Sequence, residues 1–166
     1  SVIDPAVQYP AGNYTGFIVF NQNIVTNRDP IMSIGKPSEN YDQWWDGYYG
    51  IMAYTGGYSS LGAGSPLPAT QPQIFTVIRE SANPSTPIIL RRRLTKSVSS
   101  VVIFSGVPEY YGLYGINVAN IVLGPAGNGN TAFDGVYKRA LFYKDLLTND
   151  NLLAAEQALA DLYLPD

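Results

Sequence analysis

The chain contains no cysteine and no histidine. Without cysteine there is no disulfide framework, no thiolate metal site and no thiol nucleophile. Without histidine, His-dependent triads and nearly every zinc site are excluded as well. Charge is sparse, 14% of residues with a net of −3, so there is no basic footprint for nucleic acid or an anionic membrane. No apolar run approaches the roughly 20 residues that span a bilayer. The N-terminal segment lacks the basic and apolar regions of a signal peptide. Also missing are a G-x-S-x-G elbow, a phosphate-cradling P-loop and any repeat of solenoid or propeller period.

What is present describes a β-protein. Thirteen tyrosines, sixteen glycines and twelve prolines among 166 residues supply amphipathic rings and many turns. Length makes one domain the default. Ser1–Asn13, with Pro5 and Pro10, reads as an N-terminal arm or edge strand, and residues 14–166 as a single domain. Apolar runs predict strands over Tyr14–Phe20, Pro30–Gly35, Tyr48–Tyr54, Ile74–Arg79, Pro87–Leu94, Ser97–Ser105, Leu113–Ala119, Ile121–Gly124 and Phe133–Tyr143. The first two read as a hairpin. Lys36–Asp46 reads as a loop ending in Trp44-Trp45, and Gly56–Pro72 as a second loop, rich in Gly, Ser and Pro, of a length often reserved for function. Short strands at regular spacing point to an all-β sandwich or barrel.

The C-terminal fifth is the most informative stretch. Asn128-Gly129-Asn130 is a turn, because Asn and Gly accept φ > 0 at little cost. Thr148 precedes a helix whose first orphan N–H groups its hydroxyl can cap, with Asp150 placing negative charge in the first turn. Leu152, Ala155, Leu159, Leu162 and Tyr163 form an apolar stripe. Glu156, Gln157 and Asp161 are assigned to the opposite, solvent-facing side, and Pro165 ends the helix. One amphipathic helix in a β-rich chain predicts a sheet for it to cover.

The segment FDGVYKRALFYKDLLTNDNLLAAEQALADLYL resembles the closing signature of laminin-G-like, concanavalin A-like jelly rolls, in which a glycine leads an aromatic-rich strand and a short helix ends in Y-L. YTGFIVF, RDPIMSIG and PQIFTVIR look like that family's successive strands, and IVLG like the strand before the final turn. Arg139 stands where a glutamate is frequent in the family. The resemblance implies a jelly-roll sandwich of two antiparallel sheets with a short C-terminal α-helix. It also implies the non-catalytic adhesion or carbohydrate-binding role that such modules serve in extracellular and phage surface proteins.

Tyr41, Trp44, Trp45, Tyr48 and Tyr49 crowd one segment with Asp42, Gln43 and Asp46. Aromatic faces stack on sugar C–H faces while carboxylates and amides take hydroxyl hydrogen bonds, so the mixture suits a glycan site. Tyr58, in the long glycine-rich loop, is a further candidate. The alternative is that one Trp fills the core and the rest meet a neighbouring subunit, because adjacent strand residues face opposite sides. Tyr110, Tyr111 and Tyr114 form a second aromatic group, read as ordinary surface tyrosines. Asn128, Asn130 and Asp134 offer oxygen ligands for Ca²⁺, but turn chemistry is the preferred reading, so no cofactor is assigned. Arg91-Arg92-Arg93 reads as a charged edge that discourages unwanted strand pairing, with Arg91 and Arg93 on one face. Asn13-Tyr14-Thr15 matches a glycosylation acceptor pattern.

Glycoside hydrolysis needs two carboxylates at set separation, and no two acidic residues lie two positions apart in this chain, so no catalytic residues are assigned. The expected function is non-catalytic surface binding, with cell-surface or extracellular glycans as partners. A homo-oligomer, or neighbouring virion or fibre subunits, is also expected, with neither nucleic acid nor membrane insertion. The expected setting is a virion surface, as decoration, head-fibre or tail-fibre protein, or another extracellular assembly. A purely structural capsid or fibre subunit is the alternative.

Overall fold

A computed structural model of the chain describes residues 13–23, 29–35, 42–47, 50–55, 61–63, 71–80, 88–106, 120–123 and 134–166. Among them are ten strands and one helix: β1 (Tyr14–Gln22), β2 (Asp29–Gly35), β3 (Asp42–Gly47), β4 (Gly50–Thr55), β5 (Leu61–Ala63), β6 (Gln73–Arg79), β7 (Ile88–Arg93), β8 (Val101–Gly106), β9 (Asn120–Leu123), β10 (Gly135–Tyr143) and α1 (Asn149–Tyr163). The expected all-β class with a C-terminal helix is what the chain forms. The strands make two five-stranded antiparallel sheets, ordered β5-β4-β3-β2-β9 and β10-β1-β6-β7-β8. Each belongs to its own compact unit, assembled from segments that alternate along the chain. No helix among the described residues is long and apolar enough to cross a membrane.

Several expectations are corrected. Tyr14–Gln22 and Asp29–Gly35 are not a hairpin: β1 pairs with β6 and β10, while β2 pairs with β3 and β9. Asp42–Gly47 is a strand rather than the end of a loop. Its two tryptophans suit a pleated surface, and it is paired along both sides. The glycine-rich stretch contains the short strand β5. The strand predicted from Ser97 begins only at Val101, because residues 95–98 fold into a turn in which Val98 N–H donates to Thr95 Oγ1 at 3.2 Å. The predicted strand Leu113–Ala119 and all of the arm Ser1–Asn13 except Asn13 lie outside the described residues.

In the second unit, β1 is an interior strand, between β10 and β6. Its apolar run YTGFIVF is buried on both sides of the pleat, as expected of a strand without alternation. Phe17 and Val19, with Ile74 of β6, face the helix and pack with Leu152, Leu159, Ala160 and Leu164. Each such fully buried side chain contributes about 1.5–3 kcal/mol. On the other side of the sheet Phe20 meets Phe75 edge-on at 5.0 Å and Tyr137 at 6.4 Å. Gly16 lies opposite Phe142. A Cβ there would come within 2.8 Å of the Phe142 ring, so the missing side chain is what lets that ring lie across the strand. The acceptor pattern at Asn13 is part of this sheet: Thr15 is fully buried, and its hydroxyl donates to Asp145 O at 3.1 Å and accepts from Leu147 N–H at 3.2 Å.

Helix α1 starts as the sequence predicts. Thr148 is the N-cap, its side chain accepting from Asn151 N–H at 3.4 Å, with Asp150 in the first turn. The stripe is different from the expected one. Leu162 is 74% exposed, while Glu156, assigned to the solvent side, is 1% exposed. The buried set is Leu152, Glu156, Leu159 and Ala160. Position 156 is one turn beyond Leu152, so geometry puts it on the sheet side whatever its polarity.

Arg91 makes that burial tolerable. Its Nε lies 3.1 Å from Glu156 Oε1 and its Nη2 donates to Oε2 at 3.2 Å. Thr76 Oγ1 donates to Oε1 at 2.7 Å, and Ser100 donates its hydroxyl to Oε2. Both carboxylate oxygens are thus doubly satisfied, the condition under which a buried charge is retained. Arg93 adds a second tie, donating to Gln157 Oε1 at 2.7 Å and Thr95 O at 3.0 Å. The arginine run is therefore not a charged edge. Strand β7 lies between β6 and β8, and Arg91 and Arg93 share the face that holds the helix.

Two outcomes follow for stability. Glu156→Ala leaves Arg91 without its counter-charge and costs about 3–5 kcal/mol in a denaturant melt, whereas the double variant Arg91→Met, Glu156→Leu recovers most of the loss. Burial pushes the Tyr137 hydroxyl well above its ordinary value of 10.0. The folded state therefore holds this proton more tightly than the unfolded chain does. Its contribution is fully present below pH 10 and is lost as the pH rises above that value. Tyr137→Phe flattens the fall in melting temperature between about pH 10 and pH 12.

Candidate functional site

The sheet β5-β4-β3-β2-β9 carries the candidate segment on its central strand. The ladder of β3 and β4 closes at Gly47↔Gly50, and the rungs run Trp45↔Met52, Trp44↔Ala53, Gln43↔Tyr54 and Asp42↔Thr55. On the other side β3 meets β2 through Asp46↔Asp29, Trp45↔Pro30, Trp44↔Met32, Gln43↔Ser33 and Asp42↔Ile34, with a bulge between Pro30 and Met32. Strand β9 continues the rows, pairing Leu123 with Met32, Val122 with Ser33 and Ile121 with Ile34.

Directly paired residues share a face, and successive residues alternate. The register therefore sorts the sheet into two sets of positions. One row reads Leu123, Met32, Trp44, Ala53, Leu61, and its neighbours on the same face add Ile121, Ile34 and Ile51. The other face collects Ser33, Gln43, Trp45, Met52 and Tyr54, with Val122 and Asn120 on β9. The middle row of the first set is apolar, and the same face also carries Asp29, Asp42, Asp46 and Thr55. The second mixes one indole, one phenol, amides and a hydroxyl, the alternation of an antiparallel sheet with unlike faces.

The candidates read from sequence are thus partly brought together and partly separated. Asp42, Trp44 and Asp46 fall on one face, with Asp29, and Trp45 falls in the polar–aromatic set on the other. Tyr41, Tyr48, Tyr49 and Tyr58 lie outside the described residues, as do the tyrosines at 110, 111 and 114. Of the oxygen ligands considered for calcium, Asp134 is exposed immediately before β10, and Asn128 and Asn130 lie outside the described residues. Among the described residues there is no group of three or more acidic side chains able to hold a metal ion.

Linear spacing missed two things. Ser33 and Tyr54 join Gln43 and Trp45 only through cross-strand pairing, although the alternation of M-A-Y and S-I-G around them is legible once the register is known. Asp29 and Asp46 are direct cross-strand partners seventeen positions apart in sequence. This carboxylate pair falls on the face of Trp44, and among the described residues the polar–aromatic face holds no carboxylate position.

No protein-family model matches the chain, and no curated protein does. Solved structures do match over nearly its whole length. Domain 4 of AbnA, an extracellular arabinanase of Geobacillus stearothermophilus in complex with arabinotriose, is 15% identical, with 96% of this chain and 71% of that chain covered and a TM-score of 0.67. The CBM40 module of a Ruminococcus gnavus sialidase bound to α2,3-sialyllactose is 14% identical, over 93% of this chain and 94% of that one, with a TM-score of 0.64. An arabinofuranosidase complexed with arabinofuranosyl-α-1,2-xylobiose is 14% identical, with a TM-score of 0.67, and 97% of this chain covers only 38% of that enzyme. The chain therefore has the fold of β-sandwich carbohydrate-binding modules, a fold that also occurs as part of larger glycoside hydrolases.

Proposed function

We propose that the protein is a non-catalytic carbohydrate-binding module whose ligand lies on the polar–aromatic face of the sheet centred on β3. The observation that carries this reading is the register that gathers Trp45, Gln43, Ser33 and Tyr54 on one face. An indole stacks on the apolar face of a sugar ring, and amides and hydroxyls on neighbouring strands complement its hydroxyl groups in both hydrogen-bonding senses. The glycan-bound modules that share the fold support it.

The finer reading is a laminin-G-like, concanavalin A-like jelly roll displayed in many copies on a virion or other extracellular surface. A single shallow sugar site binds weakly, and repetition on an assembly raises its avidity by orders of magnitude. Tyr41, Tyr48 and Tyr58 stand close in sequence to the strands of this sheet.

The two tryptophans separate the reading from its alternatives. Trp45→Ala lowers affinity for an oligosaccharide panel at least about tenfold by titration calorimetry, with little change in melting temperature. Trp44→Ala, on the other face, leaves that affinity unchanged. If Trp45→Ala binds like the parent, or Trp44→Ala loses as much affinity as Trp45→Ala, the face is not the binding site.

A further inference from the structure

We infer that this face takes uncharged oligosaccharides and discriminates against those bearing a carboxylate, an inference that rests on the glycan reading above. The five strands of the sheet contain no lysine or arginine, but they contain Asp29, Asp42 and Asp46. The polar–aromatic positions Ser33, Gln43, Trp45, Tyr54 and Asn120 are all uncharged at neutral pH. Recognition of a carboxylated sugar ordinarily uses a guanidinium or ammonium partner, because a carboxylate that loses its water without one is costly. No strand of this sheet supplies such a partner.

The wider unit has the same sign. Its segments, residues 1–12, 24–67 and 108–134, hold seven acidic residues against two basic ones, Arg28 and Lys36, a net of −5 within a chain of net −3. Arg28 and Lys36 flank β2 in sequence and belong to none of the sheet's strands. Asp46 and Asp42 stand one and three residue steps from Trp45 along β3, on the opposite face of the sheet. Strands rise about 3.3 Å per residue, so these separations are on the order of 10 Å. That span is comparable to the Debye length of about 8 Å at physiological salt. A carboxylated sugar stacked at Trp45 therefore enters a negative field only partly screened. An uncharged sugar meets amide and hydroxyl groups with no charge to desolvate. A shared fold does not decide this point, since modules bound to arabinotriose and to sialyllactose both share it; the residues on the face do.

The test is calorimetry of the full chain against a neutral panel (arabinotriose, xylobiose, lactose) and an anionic panel (3′-sialyllactose, 6′-sialyllactose, digalacturonate), each at low and high sodium chloride. The expected result is binding to at least one neutral sugar with an affinity that does not change with salt. Every anionic member should then be weaker than the best neutral one by on the order of tenfold or more. An anionic sugar that binds as tightly as the best neutral one, or an affinity that falls as salt rises, overturns the inference while leaving the glycan reading intact. Binding to no sugar in either panel overturns the glycan reading and this inference with it. A second variant tests the charge argument directly. Gln43→Arg should raise the ratio of 3′-sialyllactose to lactose affinity several-fold, and an unchanged ratio counts against the inference.

Discussion

Side chains on a pleated strand alternate, and most of what distinguishes this protein follows from that constraint. In the sheet under the helix it assigns Phe17 and Val19 to the helix side and Ile18 and Phe20 to the opposite side, so that β1 is buried throughout. It splits three consecutive arginines, turning Arg91 and Arg93 toward α1 and Arg92 away from it. In the other sheet it places two adjacent tryptophans on different faces, one among apolar positions and one among polar and aromatic ones. Each pair of neighbours looks equivalent in the linear sequence and is made unlike by the pleat.

The helix shows how polarity is accommodated once geometry has fixed a position. Glu156 occupies a slot that amphipathic patterning would give to an apolar residue, and the sheet answers with a guanidinium and two hydroxyls from β6, β7 and the segment after β7. A carboxylate so enclosed adds little net stability compared with a well-packed leucine. What it adds is direction: only one rotation and one register of α1 bring both oxygens onto their donors. The helix is held in place by apolar burial and oriented by this cluster.

Much of the fold was legible in the sequence. Long apolar runs such as YTGFIVF and QIFTVIR, the Thr148 cap and the terminal helix are local signals, and local signals survive translation into structure. The errors came where the deciding partner is distant. Nothing near Glu156 in sequence announces Arg91, and nothing near Asp29 announces that its neighbour in the sheet is Asp46. Trp44-Trp45 sits among turn-forming and charged residues, which hid a strand whose pairing partners are on β2 and β4. The candidate site was legible as a segment and not as a surface. Gln43 and Trp45 stood in the quoted stretch, but Ser33 and Tyr54 reach them only through registers that periodicity does not specify.

The interleaving of the two sheets has a temporal side. Strand β1, near the start of the chain, is flanked by β6 and by β10, and Thr15 completes its hydrogen bonds with Asp145 and Leu147, a separation of 132 residues for the second. As the chain leaves the ribosome, β1 emerges ahead of both its partners and waits for β10 before its outer side is covered. Early closure is open to the consecutive neighbours β2-β3-β4-β5 and β6-β7-β8, while β2 waits for β9 and β1 for β10. Biosynthesis therefore favours completion of the β3-centred sheet before the helix-covered one, and a stalled or shortened chain would display YTGFIVF as an open edge, the segment most prone to pair with another copy.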